Sequence, residues 1–182
     1  ASIDELRRYV SQQIHDFHAL NGRGVIAHFD SESYERYIWF ARVGEGSLGG
    51  KARGLAFLNS LVLKHGLANK YDNVKISIPR TIVVATEFFD QFILENGLQY
   101  VIDSDISDEE ILSEFVSSRL PEGLVEQLKA YIDTVRTPLA VRSSSKLEDS
   151  SYQPFAGVYS TYMIPLVENK DQMLRMLGKA IK

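Results

Sequence analysis

Lys51 follows two glycines in the stretch RVGEGSLGGKARGLAFL, and these residue types at this spacing can bind an anion. Gly49 and Gly50 carry no side chains, so backbone N–H groups can approach an oxyanion closely at this turn. The residues that follow predict a helix, whose positive end would face the same anion. Lys51 adds a mobile ammonium group for a phosphate oxygen. The pattern favours a phosphate-binding turn, and its alternative is a flexible turn with a solvated lysine.

Two well-known phosphate-binding patterns do not fit this stretch fully. Gly44, Gly46 and Gly49 have the spacing of a dinucleotide fingerprint, but no acidic residue follows where a ribose contact would require one. The phosphate-loop pattern also fails, because Glu45 occupies its first glycine position and Ala52 its magnesium-binding position. The glycines and the lysine thus indicate anion binding without matching either motif.

A second group of anion-binding residue types lies in PLAVRSSSKLEDSSYQPFAGVYSTY, residues 138–162. Its first residues predict a strand, and Arg142 stands where that strand ends. A guanidinium there can hold a phosphate through two hydrogen bonds, and the serines that follow can donate others or cap a helix. Gly157 permits a close backbone approach. The stretch favours anion binding, and its alternative is a polar loop with Arg142 in a surface ion pair.

Two carboxylates follow the serines, at Glu148 and Asp149. Beside a triphosphate they would be unfavourable, because like charges repel. We therefore expect these side chains to orient Arg142, to hold Lys51 or to cap a turn.

Helix signals occur at several positions. Capping-box spacing, a serine followed by a glutamate three residues later, predicts helices that begin at Ser2 and Ser107. Pro121 predicts the first turn of another helix, and Asn96-Gly97 predicts the end of one that begins at Thr86. Apolar residues at helical spacing predict the faces that pack inward. They are Leu55, Leu58, Leu61 and Val62; Phe89, Phe92 and Ile93; Ile111, Leu112 and Phe115; and Leu124, Leu128, Tyr131, Ile132 and Val135.

Strands are predicted at residues 25–29, 37–43, 76–85, 138–142 and 159–164. Pro79 cannot donate a ladder hydrogen bond, so it should lie at the start or on an edge of its strand. Helices and strands alternate without a repeat, which predicts an α/β (α+β) fold.

Composition narrows the class of protein further. The chain has 182 residues, of which 45% are apolar, so it can bury the core of one domain or of one domain with an appendage. A formal net charge of −4 argues against a general nucleic-acid surface. The absence of cysteine excludes disulfides and cysteine-ligated zinc. No apolar stretch approaches the ~20 residues needed to span a bilayer, and we expect a cytoplasmic enzyme.

Together, GSLGGKARGLAFL and PLAVRSSSKLEDSSYQPFAGVYSTY resemble the N-terminal ATP-binding domain shared by phosphoenolpyruvate synthase and pyruvate phosphate dikinase. That family carries a Gly-Gly-Lys turn leading into a leucine-containing helix. Later it carries Val-Arg-Ser-Ser, Glu-Asp, Phe-Ala-Gly and a threonine before a strand. The resemblance extends from about Gly46 to Tyr162, whereas residues 1–40 match nothing recognisable.

The resemblance implies an ATP-grasp-like lobe in a kinase that transfers a phosphoryl group from ATP to a carrier histidine on a swivelling domain. That domain delivers the group to pyruvate in a separate barrel, giving phosphoenolpyruvate. None of the four histidines here has the setting of the carrier. The resemblance implies that the Mg²⁺ ligands lie in a later lobe, beyond Lys182. The implied partners are therefore ATP with Mg²⁺ and the downstream domains of the same polypeptide, with no nucleic acid and no membrane.

The resemblance also assigns roles to individual residues. Lys51 and Arg142, with Gly49 and Gly50, would hold the ATP phosphates. Gly157, Val158 and Tyr159 would close over them with backbone N–H groups. The site would be supported by Ser143, Ser144, Thr161, Glu148 and Asp149. No catalytic residue and no metal ligand is expected within this chain, and Ser145 replaces a frequent alanine.

The implied domains are an N-terminal helical extension of unknown role at residues 1–40 and the first part of the ATP-binding domain at residues 41–182. Residues 169–182 form a helical pattern that stops without a terminating glycine, so we expect a fragment that is inactive alone. Other hypotheses remain open. The same ATP module can serve a glucan or an antibiotic as acceptor, or form a non-catalytic nucleotide sensor or a plain interaction domain.

Three remaining features favour structural roles. His15 and His18 lie three residues apart on a predicted helix, but no further ligand completes a metal site. Residues 103–110 are acidic but lack the glycine of a calcium loop. Trp39, near Tyr37 and Phe40, is expected in the core rather than against an adenine ring.

Overall fold

The computed structural model describes residues 2–3, 5–10, 13, 26–30, 40–145 and 159–182. The chain divides into two compact units. The first comprises Ala1–Arg42 and Ala52–Val83, and the second comprises Val43–Lys51 and Val84–Lys182. The second unit contains all the described residues that were predicted to bind ATP phosphates.

A three-stranded sheet is formed by β1 (Ala27–His28), β2 (Phe40–Val43) and β3 (Thr81–Val84), with β2 in the middle. β1 runs parallel to β2, and His28 is the register partner of Arg42. The strand predicted at 76–85 is confirmed only at Thr81–Val84. Pro79 offers no N–H to a neighbouring strand, and its carbonyl accepts a 3.0 Å hydrogen bond from the Thr81 hydroxyl.

Helix α1 (Gly49–Lys64) follows β2 and is succeeded by a 3₁₀ turn, Leu67–Asn69. Its predicted inward face is confirmed only in part. Leu58 is exposed, whereas Leu55, Leu61 and Val62 are half-buried. Residues 5–10 are also helical, and the predicted Ser2–Glu5 capping box forms, but Leu6 and Val10 are exposed.

The second unit contains most of the remaining regular structure. Its helices are α2 (Thr86–Glu95), α3 (Asp108–Ser117), α4 (Glu122–Thr134) and α5 (Lys170–Ile181), with a 3₁₀ helix at Leu98–Asp103. Its strands β4 (Leu139–Arg142) and β5 (Thr161–Ile164) pair antiparallel, so that Arg142 is the register partner of Thr161.

The core of this unit lies where α4 packs against α5, which also contacts β4 and β5. The predicted inward face of α4 is confirmed, since Leu124, Leu128, Tyr131, Ile132 and Val135 are all buried. On α5, Met173 and Leu177 are buried as well. The faces predicted for α2 and α3 are partly wrong, because Phe89 and Leu112 are exposed. Their neighbours Phe92 and Phe115 do meet, with ring centroids 5.5 Å apart.

The mixed α/β class is confirmed by this arrangement of helices and small sheets. Within the described part of the chain, no helix has both the length and the apolar character needed to cross a membrane.

The start of α3 confirms the second capping box. The Glu110 N–H donates to the Ser107 hydroxyl at 3.3 Å, and the Ser107 N–H donates to the Glu110 carboxylate at 3.0 Å. These bonds satisfy two donors that the first helical turn leaves without a partner.

Replacing Ser107 with Ala should lower the free energy of unfolding by about 1 kcal/mol, because the Glu110 N–H loses its acceptor. The matched control is Ser113→Ala, an exposed serine in the body of the same helix. That change should be neutral or slightly stabilising, because alanine has the higher helix propensity. Urea denaturation of both variants measures the difference, and equal stabilities would show that the cap contributes nothing.

Candidate functional site

The first predicted loop is a glycine turn, residues 44–50, which follows β2 and ends within the first turn of α1. Gly44, Gly46 and Gly49 have φ angles of 80°, 97° and 76°, a region in which other residues are strained. These three glycines let the backbone fold back on itself directly after a buried strand.

One side of the glycine turn is held by the start of α2. The Glu45 N–H donates to the Glu87 carboxylate at 2.7 Å, and the Glu87 N–H donates back to the Glu45 carbonyl at 3.1 Å. The Ser47 N–H donates to the Thr86 hydroxyl at 3.0 Å, and the Thr86 N–H donates back to the Ser47 carbonyl at 3.1 Å. Sequence reasoning missed the contribution of Thr86 and Glu87 to this loop.

The other side of the turn contacts residues 143–145, the serine loop that follows Arg142 in the second predicted stretch. The Gly50 N–H donates to the Ser144 carbonyl at 3.1 Å, and the Ser144 hydroxyl donates to the Leu48 carbonyl at 2.7 Å. A Cβ atom on Gly49 would lie only 1.3 Å from the Ser144 carbonyl oxygen. The two stretches singled out in the sequence are therefore in direct contact.

This contact gives the glycines a role that the sequence did not predict. The Gly50 N–H donates to the Ser144 carbonyl, and the Gly49 N–H donates to the Ser47 hydroxyl oxygen at 3.4 Å. Both N–H groups are thus engaged with protein atoms in this structure. The glycines permit close packing of two chain segments, and their contact with phosphate stays a prediction.

The two predicted cations flank this contact. Lys51 is half-buried in the first turn of α1, and Arg142 is exposed at the end of β4, two residues before Ser144. Because Gly50 and Ser144 are hydrogen bonded, chain geometry limits the separation of the Lys51 and Arg142 Cα atoms to about 18 Å. Two long side chains can reach toward one polyphosphate across that span.

Other predicted site residues lie beside Arg142 or outside the described residues. Thr161 is the cross-strand partner of Arg142, and Tyr159 lies just before β5. Ser143 is half-buried between Arg142 and Ser144. The positions outside the described residues are Glu148, Asp149, Gly157 and Val158, with His15, His18, Tyr37 and Trp39. Phe40 is buried, as expected for core packing.

No metal centre is evident in the part of the chain that the structure describes, where no three His, Asp or Glu side chains are grouped to hold an ion.

The glycine turn, the serine loop and the strand-end arginine lie in one compact unit of a mixed α/β structure. The family model of the pyruvate phosphate dikinase AMP/ATP-binding domain matches residues 45–182, and this chain belongs to that family. The resemblance found in the two loops is thereby confirmed, as are ATP binding and membership of a kinase-type family. Comparisons with curated proteins and with solved structures found no match. The division at residue 40 stays a prediction.

Replacing Gly49 with Ala should lower the free energy of unfolding by at least about 2 kcal/mol, since a side chain at positive φ is strained and Ser144 would have to move. The control is Gly54→Ala in the body of α1, where a Cβ atom would have no described neighbour within 4 Å. That variant should be stabilised by up to about 1 kcal/mol. Chemical denaturation compares them, and a Gly49 variant as stable as the Gly54 variant would rule out the close contact.

Proposed function

We propose that this chain is the ATP-binding portion of a phosphotransferase of the phosphoenolpyruvate synthase type. The enzyme passes a phosphoryl group from ATP through a carrier histidine outside this chain to pyruvate, giving phosphoenolpyruvate. The contact between Gly50 and Ser144 is the single observation that carries the proposal, because it joins the two loops on which the family resemblance rests.

In the proposed site, Lys51 and Arg142 neutralise the phosphate charges of ATP from two sides. A guanidinium offers a planar pair of donors and an ammonium offers a point charge, so the two cations are complementary. Ser143, Ser144 and Thr161 support the site. Phosphoryl transfer demands mainly positioning and charge neutralisation, and this is the chemistry that these residue types supply.

The proposed fold is one lobe of an ATP-grasp-like domain, with nucleotide held between this lobe and a second one. The backbone of Gly157, Val158 and Tyr159 closes over the phosphates, and Glu148 and Asp149 orient the cations. Mg²⁺ is bound with ATP by ligands outside this chain. The proposed location is the cytoplasm, where the swivelling histidine domain and the pyruvate-binding barrel are the other partners.

Replacing either Arg142 or Lys51 with Ala in the full-length protein should raise the Kd for ATP about 10- to 150-fold, the effect of losing one charged hydrogen bond. Arg175→Ala is the matched control, because it removes an exposed guanidinium from α5, a helix that contributes no predicted ligand. Isothermal titration with ATP and Mg²⁺ measures all three. Wild-type affinity in both the Arg142 and Lys51 variants would contradict the proposed site.

The acceptor is tested separately by incubating full-length protein with ATP, Mg²⁺ and pyruvate. We expect phosphoenolpyruvate to form, at a rate that falls in the Arg142→Ala variant, as measured by ³¹P NMR of the products. ATP consumption only with a glucan or an antibiotic would assign the same module to that acceptor. ATP binding without any turnover would identify a sensor instead.

A further inference from the structure

We propose that Thr86 and Glu87, at the start of α2, are positioning residues for ATP binding, acting through the glycine turn that leads to Lys51. The inference rests on the proposed function, because it assumes that Lys51 contacts ATP phosphates. It goes further by assigning a role to a helix that contributes no predicted ligand.

The hydrogen bonds between α2 and the turn are reciprocal. Glu45 and Glu87 exchange two bonds, and Ser47 and Thr86 exchange two more, so four bonds join consecutive helix residues to alternate turn residues. The N-cap of α2 is Ala85, which has no side-chain acceptor for the N–H groups of the first turn. The side chains of Thr86 and Glu87 accept instead from the turn, which indicates that they hold it in place.

Close packing accompanies these hydrogen bonds. A Cβ atom on Gly46 would lie 2.5 Å from the Thr86 hydroxyl oxygen, and one on Gly44 would lie 2.7 Å from the Phe88 ring. The Glu87 carboxylate is half-buried, and its second oxygen accepts from the Gln91 side chain at 3.3 Å. The carboxylate is therefore held in one orientation by its own helix while it holds the turn.

These restraints matter because a glycine-rich backbone has access to more conformations than any other. With three glycines at positive φ, a free turn would populate many conformations, and binding would have to select one of them. The bonds to α2 fix the turn at one end, and Ser144 fixes it at the other. Lys51, the residue after Gly50, is thereby presented from a pre-organised backbone.

Because Glu87 is negatively charged, a positioning role and a direct electrostatic effect on ATP predict opposite changes in ATP affinity when it is replaced. A carboxylate near a polyphosphate repels it, so a purely electrostatic role for Glu87 predicts tighter ATP binding in both Glu87→Ala and Glu87→Gln. A positioning role predicts weaker binding for Glu87→Ala. Glu87→Gln should retain near-wild-type binding, because its amide oxygen can still accept from the Glu45 N–H.

The experiment measures ATP affinity of the full-length protein by isothermal titration. We expect Glu87→Ala to raise the Kd about tenfold, the loss of one charged hydrogen bond, and Glu87→Gln to stay within about threefold of wild type. The control, Asp90→Asn, removes an exposed carboxylate from the same helix and should change nothing. Amide exchange at Glu45 and Ser47 should accelerate in Glu87→Ala alone among these variants.

A double-mutant cycle that combines Glu87→Ala with Lys51→Ala tests whether Glu87 affects ATP affinity through Lys51. If Glu87 acts through the turn, Glu87→Ala should cost little further affinity once Lys51 is absent. A full tenfold loss in that background, or unchanged affinity for Glu87→Ala alone, would overturn the inference. Failure of the wild-type protein to bind ATP would overturn the proposed function first. Dependence on Lys51 and Arg142 without dependence on Glu87 would overturn only the positioning role.

Discussion

The structure of the site depends on one contact, in which the Ser144 carbonyl approaches the start of α1 and accepts from the Gly50 N–H. Only a glycine at position 49 allows this approach, since any Cβ would coincide with the carbonyl oxygen. Lys51 follows this contact on one segment and Arg142 precedes it on the other, although about ninety residues separate them in the sequence. The proposed pairing of the two cations on one ATP molecule is a consequence of that packing.

Sequence reasoning predicted best those features that are local. The capping boxes at Ser2 and Ser107 form, because both partners lie within one helical turn of each other. The inward face of α4 is buried as its 3.6-residue period indicates. Phe89 and Leu112 belong to equally regular patterns but are exposed, because a period identifies an apolar face without saying how much of it a neighbour covers.

The candidate site could be predicted from the sequence only in part. Residue types identified both loops, and the family resemblance placed them in one ATP-binding domain, which the family match over residues 45–182 confirms. Periodicity alone gave no reason for Gly49 to meet Ser144, since that contact is long-range. The roles of Thr86 and Glu87 were hidden for a related reason. Polar residues at a helix start predict a cap for that helix, and nothing local shows that they accept from residues 45 and 47.

The backbone N–H groups of the glycine turn have different partners from those of a phosphate loop. In a phosphate loop, backbone N–H groups cradle the phosphates directly. Here the N–H groups of Glu45, Ser47, Gly49 and Gly50 all donate to protein oxygens, which stabilises the turn itself. In the proposed site, anion affinity therefore depends more on the cationic side chains than on the backbone N–H groups. Glu87 keeps its negative charge, so in the proposed site its hydrogen bonds stabilise the turn while its charge opposes a polyphosphate.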